Sequence, residues 1–80
     1  MNKEEWNKLD DELFCAYLRF DSNVYICSFH ATGKTGITVM IKYANTCIFN
    51  ETIMRYEDKD VIEFKRNKII DTLKLFSYME

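Results

Sequence analysis

Apolar positions near the start of the chain recur at steps of three and four: Trp6, Leu9, Leu13, Ala16, Tyr17 and Phe20. That spacing gathers them on one face of a helix and predicts an amphipathic helix over residues 3–20. Asn2 is placed to cap it, and Glu5 stands three residues on in the reciprocal position of a capping box. Asp10, Asp11 and Glu12 fall off the apolar stripe. Asp21-Ser22-Asn23 then supplies turn-forming side chains where the helix should stop.

From residue 24 the period changes. Residues 24–30, Val-Tyr-Ile-Cys-Ser-Phe-His, have the β-branched and aromatic character of a strand. Thr32-Gly33-Lys34-Thr35-Gly36 holds both glycines of the chain and reads as a hairpin turn. Over residues 37–44 the alternation is clearest, with Ile37, Val39, Ile41 and Tyr43 facing one way and Thr38, Met40 and Lys42 the other. Asn45-Thr46 reads as a second turn, followed by a third strand over 47–56 that Asn50-Glu51 could divide in two.

A last helix is predicted over residues 59–78, capped by Asp58 or Asp60, with Glu63 three residues after the latter. Ile62, Ile69, Leu73 and Phe76 form its stripe, widened by Val61, Ile70 and Met79. The elements amount to an α+β fold, a two-layer sandwich in the order helix, three-stranded antiparallel sheet, helix (αβββα), with both helices on one sheet face.

Composition narrows what such a domain does. Residues 1–80 make one folding unit, short enough to bury only about 60% of its unfolded surface. An apolar fraction of 48%, with 15% aromatic, is ample for a core. Eleven basic against thirteen acidic residues give a net charge of −2, which removes any global pull toward nucleic acid or anionic membrane. No stretch approaches the roughly 18 apolar residues of a membrane span. Three cysteines (Cys15, Cys27 and Cys47) and a charged opening segment predict a reducing, cytoplasmic setting, with the cysteines as small buried hydrophobes.

Motifs for catalysis or metal binding dissolve when read closely. Gly33-Lys34-Thr35 ends like a phosphate-binding loop, but Ser28 stands where that signature needs glycine, and a strand follows where it needs a helix. Cys27 and His30 are three apart in a strand, so they point to opposite faces and cannot readily share a metal ion. His30 is the only histidine and stands beside a turn. The expectation is a non-enzymatic protein without cofactor or metal.

Large apolar groups occur on both sides of the predicted strands, so a sheet covered on one face should leave several exposed on the other. That surplus predicts a protein partner, or a homodimer, through the uncovered sheet face. Phe29, Phe49 and Tyr56 are the aromatic candidates for this surface. Glu57, Asp58, Asp60 and Glu63 add an acidic stretch, the feature by which a rigid small domain can occupy a basic groove on a larger protein. In size and general build the chain is similar to small viral inhibitors of host defence nucleases, several anti-CRISPR proteins among them. That resemblance implies an inhibitor or regulator acting in the host cytoplasm.

The alternative is a homodimeric nucleic-acid-binding regulator contacting phosphates through Lys65, Arg66 and Lys68. The element order resembles that of double-stranded-RNA-binding domains, which read RNA by shape. That family carries a lysine cluster at the start of its second helix, where this chain has Asp58-Lys59-Asp60 and Glu63. Its Gly-Pro-x-His loop is also missing, since the chain contains no proline.

Overall fold

The computed structural model describes residues 1–32 and 35–77. Five elements follow one another: α1 (Lys3–Arg19), β1 (Ile26–Thr32), β2 (Gly36–Tyr43), β3 (Thr46–Met54) and α2 (Lys59–Phe76). The strands form an antiparallel meander in the order β1-β2-β3. The architecture is therefore the α+β, αβββα arrangement expected from the periodicities.

The capping box at the start of α1 is formed in both directions. Glu5 N donates to Asn2 Oδ1 at 2.8 Å, and Asn2 N donates to Glu5 Oε1 at 3.2 Å. Asp58 caps α2 by its backbone position alone, with no side-chain hydrogen bond. Ser22 steers the chain into β1, its Oγ accepting from the amides of Val24 and Tyr25 at 3.1 and 3.0 Å.

One apolar cluster holds the layers together. Trp6, Leu9 and Leu13 of α1 meet Ile62, Ile69 and Leu73 of α2 above Ile37, Val39 and Ile41 of β2 and Ile53 of β3. All ten are buried, and no polar or charged residue is buried among the described residues. The alternation on β2 thus points Ile37, Val39 and Ile41 inward, where burial of each contributes on the order of 2 kcal/mol.

Topology sets the direction of the helices. A short connection turns α1 back along β1, and another turns α2 back along β3. Those two strands are parallel to each other, both being antiparallel to β2. The helices therefore run parallel. Glu5 meets Lys59, Glu12 meets Arg66 and Asp21 meets Ser77, in the same order along both.

Several expectations need correction. The second turn is Ala44-Asn45, not Asn45-Thr46, and both residues have positive φ, 48° and 68°. A two-residue hairpin twisted to match its strands requires this. β3 is not divided at Asn50-Glu51. Its irregularity is a bulge, since Ile41 pairs with Phe49 but Lys42 pairs with Cys47, leaving Ile48 extra. Cys15 and Cys47 are exposed rather than buried, because they fall off the inward faces of their elements. The turn reading of Gly33-Lys34 and the placement of Met79 lie outside the described residues.

The largest correction concerns the faces of the sheet. Phe29 and Phe49 were expected on the uncovered face, yet both pack against the core under the helices. Strand register explains it. Phe29 pairs with Val39 and Phe49 with Ile41, and both partners are fully buried. The uncovered face instead carries Ser28, His30, Thr38, Lys42, Asn50 and Thr52, interrupted by Ile26, Met40, Ile48 and Met54. The hydroxyls of Thr38 and Thr52 are bonded across the strands at 2.9 Å. The expected continuous apolar surface on this face is broken up by these polar groups.

Ala44 holds a left-handed conformation that crowds its Cβ against the following carbonyl, at a cost of about 1–2 kcal/mol. Ala44→Gly should relieve most of that cost, offset in part by glycine's greater freedom in the unfolded chain. The expected gain is about 1 kcal/mol, a rise of roughly 4–8 °C in thermal midpoint for a domain of this size. Thermal melts followed by circular dichroism check this, and a lowered midpoint would show that Ala44 carries no such cost.

Candidate functional site

The acidic stretch is built around the turn between β3 and α2. Tyr56 is the most exposed large hydrophobic side chain of the described residues, at 81%. Asp58, Asp60 and Glu63 are also exposed. Glu57 differs from them. Its Oε1 accepts from the amide of Met54 at 2.8 Å, and its two oxygens receive Lys65 Nζ at 3.0 and 2.8 Å. Lys65 donates to the carbonyl of Thr52 as well, at 3.0 Å. Glu57 therefore closes the end of β3 onto α2, and Lys65 holds its carboxyl below the usual range.

The predicted interface residues do not form one surface. Tyr56, Asp58, Asp60 and Glu63 are gathered at the start of α2. Phe49 is half-buried beneath the helices, and Phe29 is half-buried at the opposite edge of the sheet. Phe29 lies among the rings of Phe14 and Tyr17, at centroid distances of 5.4 and 5.7 Å. Its aromatic surface is engaged in fastening α1 to β1.

The cations of the nucleic-acid alternative are each beside a carboxylate. Lys65 pairs with Glu57, as described. Arg66 Nε and Nη2 donate to Glu12 Oε1 and Oε2 at 2.5 and 2.6 Å, a two-pronged bond between the helices. Lys68 stands 3.8 Å from Glu51. At Lys65 and Arg66 a phosphate would compete with a bonded carboxylate, while Lys68 stays about half exposed.

The structure adds residues absent from the predicted surface. Phe64 and Leu75 on α2 are 67% and 65% exposed, and Val61 is partly exposed beside Phe64. Phe64 and Leu75 each follow a core residue by two positions, Ile62 and Leu73, and so lie roughly 200° around the helix from the core. Their helical phase was the signal that could have found them. Phe14 and Leu18 of α1 are likewise exposed. Together Tyr56, Val61 and Phe64 set aromatic and aliphatic groups beside Asp58, Asp60 and Glu63.

Cys27 and His30 occupy opposite faces of β1. Burial raises the Cys27 thiol to about 11, so it is protonated and weakly nucleophilic at neutral pH. Among the described residues, no group of three or more metal-ligating side chains is gathered, and no helix is long and apolar enough to cross a membrane.

The ion pairs carry a pH signature. Lys59, Arg66 and Lys65 hold Glu5, Glu12 and Glu57 below their ordinary value of 4.5. A carboxyl depressed in the native state stabilises the fold above its unfolded pKa, and that contribution is lost as pH falls through the native value. Thermal midpoints should stay level from about pH 7 to about pH 5 and decline below that. Glu12→Gln should lower the neutral midpoint slightly, as an exposed pair contributes about 0–1 kcal/mol. Glu57→Gln should lower it more, because its pair with Lys65 is part-buried. Both should make the acid decline shallower. An unchanged acid decline in both variants would assign the loss to other groups. Comparison with known proteins found no matching family, no matching curated protein and no matching solved structure, so the functional reading rests on this surface itself.

Proposed function

We propose that this chain is a non-enzymatic protein-binding module that inhibits or regulates a larger protein. Its contact surface is the turn after β3 and the exposed side of α2: Tyr56, Val61 and Phe64, with Asp58, Asp60 and Glu63 around them. The observation that carries this reading is the exposure of Phe64 and Tyr56 beside the exposed acids Asp58, Asp60 and Glu63, in a domain whose core is already closed without them. Exposed aromatics dominate interface energetics once desolvated, while a rim of acids steers the module toward a basic surface. The partner is therefore a protein presenting a basic groove with an apolar floor. By analogy of size and general build, small viral inhibitors of host defence nucleases suggest the same mode, in which acids occupy a groove meant for nucleic acid. Three free cysteines support a reducing, cytoplasmic setting.

The test is a tagged capture from source-cell lysate, with and without nuclease, using wild type and Phe64→Glu. Phe64 is exposed, so its replacement should change stability by no more than about 0.5 kcal/mol. A stoichiometric protein partner should survive nuclease, weaken with added salt and be lost with Phe64→Glu. Retention that vanishes with nuclease, or that Phe64→Glu leaves intact, would overturn the proposal. A homodimer without other partners in sedimentation would move this surface to self-association.

A further inference from the structure

The seam between the parallel helices is closed midway by the Glu12–Arg66 pair. One turn further on, Ala16 of α1 and Ile70 of α2 take the corresponding places, and alanine is too small to fill the gap. A groove of about 570 Å³ opens there. Phe20 and Leu73 complete an apolar lining with Ala16 and Ile70, and Arg19 and Lys74 stand at the rim, one from each helix. Neither of these two cations makes an ion pair or hydrogen bond with another described residue.

Two parallel helices place their negative C-terminal ends side by side, and a cation in each last turn complements them. That requirement accounts for the charges. It does not account for an apolar cavity between them.

We infer that this groove binds a small amphipathic carboxylate, with its apolar body against Ala16, Phe20, Ile70 and Leu73 and its carboxylate between Arg19 and Lys74. The volume falls in the range of about 300–1,000 Å³ common for small-molecule sites. Arginine's planar fork suits a carboxylate, and lysine adds a second charge-assisted bond. A neutral apolar molecule would draw no attraction from the two cations, and a hydrophilic polyanion would leave the lining unfilled. The groove lies on a different side of α2 from Phe64, so the inference does not depend on the proposed function.

The experiment is a titration of the full chain with decanoate, followed by amide chemical shifts, with decanol and decyltrimethylammonium as neutral and cationic controls. Decanoate should give saturable shifts centred on Ala16, Ile70 and Leu73, and should bind more tightly than either control. Combined Arg19→Ala and Lys74→Ala should weaken it roughly tenfold or more, the loss of two charge-assisted bonds. Ala16→Leu should block the groove, and the exposed double variant keeps the test decisive if that substitution perturbs folding. Equal affinity for all three probes would overturn the inference. So would saturation elsewhere, onset only where decanoate aggregates, or an unaffected double variant. The titration needs no protein partner, so its failure leaves the reading of Phe64 and Tyr56 standing.

Discussion

Burial of the central strand organises this molecule. Ile37, Val39 and Ile41 of β2 are completely inaccessible, and a three-stranded sheet cannot achieve that alone. Two helices must lie side by side on the same face, with Leu13, Ile62 and Ile69 above the seam. In a meander flanked by helices, short connections then force those helices to run parallel. Their dipoles align instead of cancelling, which is unfavourable and calls for compensating charge.

Polar contacts tie the two parallel helices together along their length. Lys59 reaches Glu5 where both helices begin, and Arg66 reaches Glu12 midway. Asp21 and Ser77 exchange hydrogen bonds of 3.1 and 3.3 Å where both end. Lys65 and Glu57 bind α2 to the end of β3. Lys59, Lys65 and Arg66 are therefore engaged within the fold, while Arg19 and Lys74 at the shared C-terminal end pair with none of the described residues. A nearly neutral protein can in this way present a cationic groove at one place and an acidic, aromatic surface at another.

Exposed apolar groups are shared between the layers, Ile26 and Ile48 on the sheet and Phe64 and Leu75 on α2 among them. The uncovered sheet face alternates threonine, serine and asparagine with its few aliphatic groups, as a solvated antiparallel face does. Val61, Phe64 and Leu75 on α2, with Phe14 and Leu18 on α1, remain in water because helices only two abreast leave their outer sides uncovered.

Periodicity alone determined the elements, their order and the inward residues of the helices. Trp6, Leu9, Leu13, Ile62, Ile69 and Leu73 are buried as their spacing requires, and Asn2 and Glu5 form their capping box. These features are local, and one stretch of chain holds all the information they need. Tertiary structure decided which face of β1 and β3 is covered, placing Phe29 and Phe49 inward. Alternation names two faces of a strand without saying which one a helix will meet. It also decided the partners of Lys65, Arg66 and Lys68. Glu12 and Arg66 are 54 residues apart and meet only because the helices run parallel at that register. The groove beside Ala16 has the same origin, since a small residue opens a cavity only when packing sets another helix against it.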